Sequence, residues 1–116
     1  MKQGHYFGTE IGGKWWRRYR ESGFFARGSG EFDIDAAGIH FRRKLSKAAL
    51  LIGWDEIKAA RTGKSHAGQW GVRRPVLKVD FARDDLELCA GFTLSRDWDE
   101  TEKLAADINA RGADMG

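Results

Sequence analysis

Residues 31–42 read Glu31-Phe32-Asp33-Ile34-Asp35-Ala36-Ala37-Gly38-Ile39-His40-Phe41-Arg42. Apolar side chains occupy every second position on both sides of the Ala36-Ala37-Gly38 turn, and charged or polar residues fill the positions between. Successive side chains of a strand point to opposite faces, so this period of two puts Phe32, Ile34, Ile39 and Phe41 on one face and leaves the other in water. That is the pattern of an antiparallel hairpin with one wet face. A second hairpin follows the same rule: Leu77, Val79 and Phe81 alternate with Lys78 and Asp80, Arg83-Asp84-Asp85 makes the turn, and Leu86, Leu88, Ala90 and Phe92 alternate with Glu87, Cys89 and Gly91. Between the hairpins, Leu45-Ser46-Lys47 forms a connection. The almost wholly apolar run Ala49 to Trp54 suits a central strand, and a brief strand covers Ile57 to Ala60.

Toward the C-terminus the period changes to that of a helix, from Asp97 to Arg111. Trp98, Thr101, Leu104, Ala105 and Ile108 form one stripe. Asp97 and Glu100 make an N-cap pair, Asp99 and Glu102 add negative charge near the positive end of the dipole, and Gly112 supplies a stop. The stripe has to be buried, and the open end of a strongly bent sheet is its natural target. The expected fold is therefore mainly β with α: a bent antiparallel sheet or partly open β-barrel of six to seven strands, capped by one C-terminal amphipathic helix. Upstream, residues 1–13 hold four glycines and little periodicity, so they read as a flexible arm before a single domain at 14–116. Trp15, Trp16 and Tyr19 share one helical face, which suggests a short helix across the barrel ended by Gly23. Residues 62–75 form the longest irregular segment.

With 116 residues the chain has room for one domain. Its single cysteine excludes an intramolecular disulfide and a cysteine-clustered zinc site. No apolar run approaches the ~20 residues that cross a bilayer, and the start has no apolar leader, so a cytoplasmic location, peripheral to the membrane at most, is the expectation. Charge is divided along the chain: residues 14–74 hold 14 basic and 6 acidic side chains, whereas residues 75–116 hold 5 and 10. A basic stretch of that size attracts anionic partners without specifying any chemistry.

Three stretches, Gly30-Glu31-Phe32-Asp33-Ile34-Asp35 with Gly38-Ile39-His40-Phe41, Leu50-Leu51-Ile52-Gly53-Trp54-Asp55-Glu56-Ile57, and Gly91-Phe92-Thr93-Leu94-Ser95 leading into the helix, resemble the pleckstrin-homology-like superfold. The local likeness is to its small bacterial and GRAM-type members and spans about residues 24–111. The resemblance implies seven strands, with Phe24-Phe25-Ala26-Arg27 as the candidate seventh. It also implies a binding module, since members of the superfold engage lipid headgroups, proteins or peptides. The family's phosphoinositide motif wants a Lys near the end of the first strand and a basic pair on the second. Arg42 and Lys44 supply the pair, but Glu31, Asp33 and Asp35 stand on the first strand, so a specific phosphoinositide is not expected.

No enzyme motif is present. His5, His40 and His66 lack metal-ligand spacing, so neither metal nor cofactor is expected. Cys89 reads as a structural thiol. Asp33 with Asp35 and Asp84 with Asp85 suit a solvent face and a turn, and Gly68-Gln69-Trp70-Gly71 is no phosphate cradle. The expected function is non-catalytic binding or scaffolding of a protein segment or an anionic surface through a basic face. The candidate residues are Arg42 and Lys44 on the strand and Lys64, His66, Trp70, Arg73 and Arg74 in the long loop, where Trp amid Arg has the composition of a recognition loop. Trp15, Trp16, Arg17, Arg18 and Arg20 give an alternative, contact with a membrane interface or stacking on single-stranded nucleic acid. A third reading is homo-oligomerisation through open sheet edges.

Overall fold

A computed structural model describes residues 2–20, 24, 27–44, 49–66, 69–70 and 74–115. The Leu45-Ser46-Lys47 connection, Gly23, Phe25, Ala26, Gly68, Gly71 and Arg73 lie outside them. The strands are β1 (Lys2–Ile11), β2 (Lys14–Arg18), β3 (Gly28–Ile34), β4 (Gly38–Arg43), β5 (Ala49–Gly53), β6 (Ile57–Gly63), β7 (Ser65–His66), β8 (Gln69–Trp70), β9 (Val76–Arg83) and β10 (Leu86–Thr93), followed by the helix α1 (Trp98–Met115). Seven strands form one antiparallel path, β5-β4-β3-β1-β10-β9-β6, with β2 paired to β1 beside it, while β7 and β8 make a separate two-stranded ribbon. The sheet is bent and capped by the helix but is not closed into a barrel.

Both hairpins read from the sequence are present, with Phe32 opposite Phe41 and Leu88 opposite Phe81. Their apolar positions meet in one core around Phe92, whose ring centroid lies 5.2 Å from Phe32, 5.4 Å from Tyr6 and 5.5 Å from Phe41. The turn between β9 and β10 holds Asp84 and Asp85 at φ 54° and 60°. Two successive positive φ values match the twist of a two-residue hairpin, and Asp84 also accepts the Tyr19 hydroxyl at 2.7 Å.

The N-terminal segment is a correction to the sequence reading. Residues 2–13 are not a flexible arm: β1 is the central strand, paired with β3 on one side and β10 on the other. Its glycines mark backbone geometry rather than looseness. Gly8, at φ 98°, sits where the β1–β10 register shifts, and Gly12 and Gly13, at φ 62° and 72°, make the turn into β2. The path has its seven strands with β1 among them; of the candidate strand at 24–27, Phe25 and Ala26 lie outside the described residues. Phe24 lies outside any strand and stacks on Phe81 at 5.7 Å. The segment Lys14–Arg18 is likewise a strand and not a helix. Lys14–Arg18 pairs with the half of the long central strand that β3 leaves open, and aromatic residues suit a strand as well as a helix.

α1 is the predicted helix, extended past Gly112 to Met115. Asp97 caps it, its carboxylate accepting Asp99 N–H at 2.9 Å and its carbonyl accepting Thr101 N–H at 3.2 Å. Thr101, Ala105 and Ile108 are buried and Leu104 packs against the core, whereas Trp98 stays exposed. Asn109 does more than pack. Its side-chain carbonyl accepts Ala60 N–H at 2.7 Å and its amide donates to Ala60 C=O at 2.9 Å. One residue of the edge strand β6 is thus paired as if by a further strand. Asn109→Ala leaves both backbone groups of Ala60 without this partner and is expected to cost about 1–2 kcal/mol, read as a lower midpoint in urea denaturation.

Candidate functional site

The exposed cations are arranged by the register. Lys44 N–H donates to Ser29 C=O at 2.9 Å, Ser29 pairs with His5, and His5 pairs with Thr93. One residue along, Phe92 pairs with Leu77 and Leu77 with Thr62. A single line across the sheet therefore joins the end of β4 to the end of β6 and the start of β9. Arg42 and Lys44 lie at one end of it, and Lys64 and Arg74 flank the other; all four are exposed. Arg42 stands directly opposite Glu31, so an acid neighbours it across the strands. Arg73 lies outside the described residues. Trp70 is in β8 and Trp15 in β2, with their side chains outside the described set. On β2 and just after it, Trp16 is 61% exposed, Arg17 and Arg20 are exposed, and Arg18 is half-buried.

His66 is not on the surface. The β7–β8 ribbon folds its imidazole onto the outer face of β1 and β10, and the residue is 1% exposed. The outer positions Cys89, Gly91 and Thr93 of β10 are all buried, and the His66 ring lies against Gly91. Gly91 is required there, because a Cβ on it would lie 2.4 Å from the His66 ring. His66 Nε2 is 3.0 Å from Gly8 C=O. A carbonyl only accepts, so Nε2 carries the hydrogen, and in the neutral ring Nδ1 is a bare acceptor. That Nδ1 has no hydrogen-bond partner among the described residues and faces Glu10 Oε1 at 3.9 Å.

Glu10, His66 and Cys89 are all buried, and their donor atoms lie within 4.8 Å of one another. Arg61 holds Asp80 through two hydrogen bonds at 2.9 and 3.3 Å and reaches Cys89 Sγ at 3.7 Å. Burial pushes the Cys89 thiol up, and the Asp80 carboxylate beside it adds to that. Burial pulls His66 down to about 4; Glu10 opposes that shift, and Lys78 and Arg18 add to it.

The sequence reading treated His66 as one residue of an exposed recognition loop and Cys89 as a lone thiol, and it did not single out Glu10. Positions 10, 66 and 89 have no spacing to betray them, because three separate strands bring them together. One signal was present. Beyond Glu87 the outward side of β10 reads Cys89, Gly91, Thr93 with no charge, which marks that part of the face as one to be covered rather than wetted. No protein-family model matches the chain, and no curated protein matches it in sequence. Among the described residues no helix is long and apolar enough to cross a membrane.

The His66 burial has a pH signature. Unfolded, the imidazole returns toward 6.5 and binds a proton that the folded state refuses until about 4. The unfolded state thus binds more protons between those values, so this contribution to stability is intact above pH 6.5 and is lost as the pH falls toward 4. Denaturation midpoints across that window are expected to fall with pH, and the fall is expected to be shallower in His66→Gln, which has nothing to titrate.

Proposed function

We propose that the chain is a non-catalytic binding module of pleckstrin-homology-like fold, cytoplasmic and peripheral to the membrane, whose basic line engages an anionic surface. The seven-strand antiparallel path with one C-terminal helix supports the family reading, since that is the architecture the resemblance implies. The observation that carries the binding reading is the placement of Arg42, Lys44, Lys64 and Arg74: all are exposed, at or beside the ends of one line across the sheet. Glu31 opposite Arg42 argues for charge-driven attraction rather than a pocket for one headgroup. Binding of this kind is screened within about 10 Å at 0.1 M salt. The chain is expected to sediment with phosphatidylserine-containing vesicles at low salt and to release as salt rises. The variant R42A/K44A/K64A/R74A is expected to keep its circular dichroism and to lose most of that binding. Sedimentation of the variant equal to that of the parent chain removes the reading.

A second reading is favoured by the exposure of Trp16 at 61%, beside Arg17 and Arg20. An exposed indole next to arginines suits stacking on single-stranded nucleic acid, with phosphate contacts that weaken steeply with salt. It predicts quenching of tryptophan fluorescence by a single-stranded oligonucleotide, lost in Trp16→Ala; absence of quenching at low salt disposes of it. Homo-oligomerisation through sheet edges gains no support from the edge contacts. On β5, Leu51 C=O already accepts Arg83, and on β6 both groups of Ala60 are held by Asn109.

A further inference from the structure

We propose that Glu10, His66 and Cys89 bind a transition-metal ion of the zinc type on the outer face of the sheet. Three observations carry this. The donor atoms are a carboxylate oxygen, an imidazole nitrogen and a thiol sulfur, gathered within 4.8 Å of one another and all buried. The imidazole is already oriented as metal-bound histidines are, with Nε2–H donating to a backbone carbonyl, that of Gly8, so that the other nitrogen presents its lone pair. That lone pair points at a second acceptor, the Glu10 carboxylate, across 3.9 Å, and has no hydrogen-bond partner among the described residues.

Two acceptors facing each other in a buried site repel unless a cation or a proton lies between them. A metal ion between them gives the His66 Nδ1 lone pair the partner it lacks among the described residues. Nitrogen and oxygen ligands of a tetrahedral ion with bonds of about 2.0–2.2 Å stand about 3.4 Å apart. The 3.9 Å separation is thus about half an ångström wider than the bound geometry requires. Thiolate and imidazole select zinc and its neighbours over magnesium and calcium. The Cys89 thiol must give its proton to solvent as the sulfur–metal bond forms; burial and the Asp80 carboxylate oppose that loss, and the Arg61 guanidinium 3.7 Å from the sulfur favours it. With three protein ligands, the fourth position falls to a solvent water. The ion would tie β7 to β1 and β10, three stretches far apart in sequence.

The test uses the full chain, stripped with a chelator and titrated with Zn2+, Mg2+ and Co2+. Expected results are one equivalent of Zn2+ bound, no uptake of Mg2+, a raised melting temperature with Zn2+, and a cobalt spectrum with the near-ultraviolet sulfur-to-cobalt band. Cys89→Ala is expected to remove that band and to weaken Zn2+ binding at least tenfold. The cobalt spectrum of the unmodified chain decides the matter even where the variant folds poorly. No Zn2+ uptake, uptake without the sulfur band, or wild-type affinity in Cys89→Ala each overturns the proposal.

Discussion

Three residues set the shape of this molecule. β5 and β6 are the two ends of a seven-strand path, yet only Trp54, Asp55 and Glu56 separate them in the chain. Laid flat, the path would put those strands about 29 Å apart, six gaps of about 4.8 Å. Four consecutive Cα steps from Gly53 to Ile57 span at most about 15 Å. The sheet must therefore curl until its edges approach, and every apolar inward position of both hairpins is turned toward a common centre. The turn itself is pinned. Glu56 accepts Gly53 N–H at 3.0 Å and the Arg83 guanidinium at 2.6 and 2.7 Å, and Arg83 also donates to Leu51 C=O on β5. The guanidinium beside Glu56 holds its carboxyl below the usual carboxylate range. Arg83 comes from β9, so this contact spans the gap between the two halves of the curl.

The curl leaves two different exteriors. Inside, the rings of Phe32, Phe41, Phe81 and Phe92 and the helix residues Ala105 and Ile108 exclude water. Over β3 and β4 the outside stays wet, with Glu31, Asp33, His40 and Arg42 at alternate positions. Over the far part of β10 it is buried at Cys89, Gly91 and Thr93, with the His66 ring of β7 against Gly91. Burying polar groups under a ribbon this short is costly unless each finds a partner. Gly8 C=O takes the His66 Nε2 hydrogen and Arg61 reaches the sulfur. The remaining imidazole nitrogen is where the account of polar partners stops.

The sheet and helix were legible because alternation at 31–42 and 77–92 and the 3.6-residue stripe after Asp97 are consequences of having one buried face. What was not legible came from glycine and from tertiary proximity. Gly4, Gly8, Gly12 and Gly13 weaken any periodic signal, and a central strand that bulges looks locally like a loose arm. Trp15, Trp16 and Tyr19 satisfy a helical and an extended reading alike, and only the unpaired half of β1 decides between them. Arg42 and Lys44 could be placed on one strand face from spacing alone, but their relation to Lys64 and Arg74 depends on register across six strands. Glu10, His66 and Cys89 share no local pattern at all.

The segment between β6 and β9 links the two surfaces. Its ends carry Lys64 and Arg74, exposed beside the line that runs to Lys44, while His66 within it is locked against Gly8 and Gly91. A loop anchored only at its ends would let those cations wander, and ordering them on contact with an anionic surface would cost conformational entropy. Anchoring at His66 removes part of that cost in advance for Lys64, because the single residue between Lys64 and the anchor, Ser65, leaves little chain to sample. Whatever fixes the imidazole, whether its hydrogen bond to Gly8 alone or a metal ion as well, thereby fixes the position of charge at the rim of the sheet. The buried polar cluster and the exposed Lys64 are thus tied together through the first residue of β7.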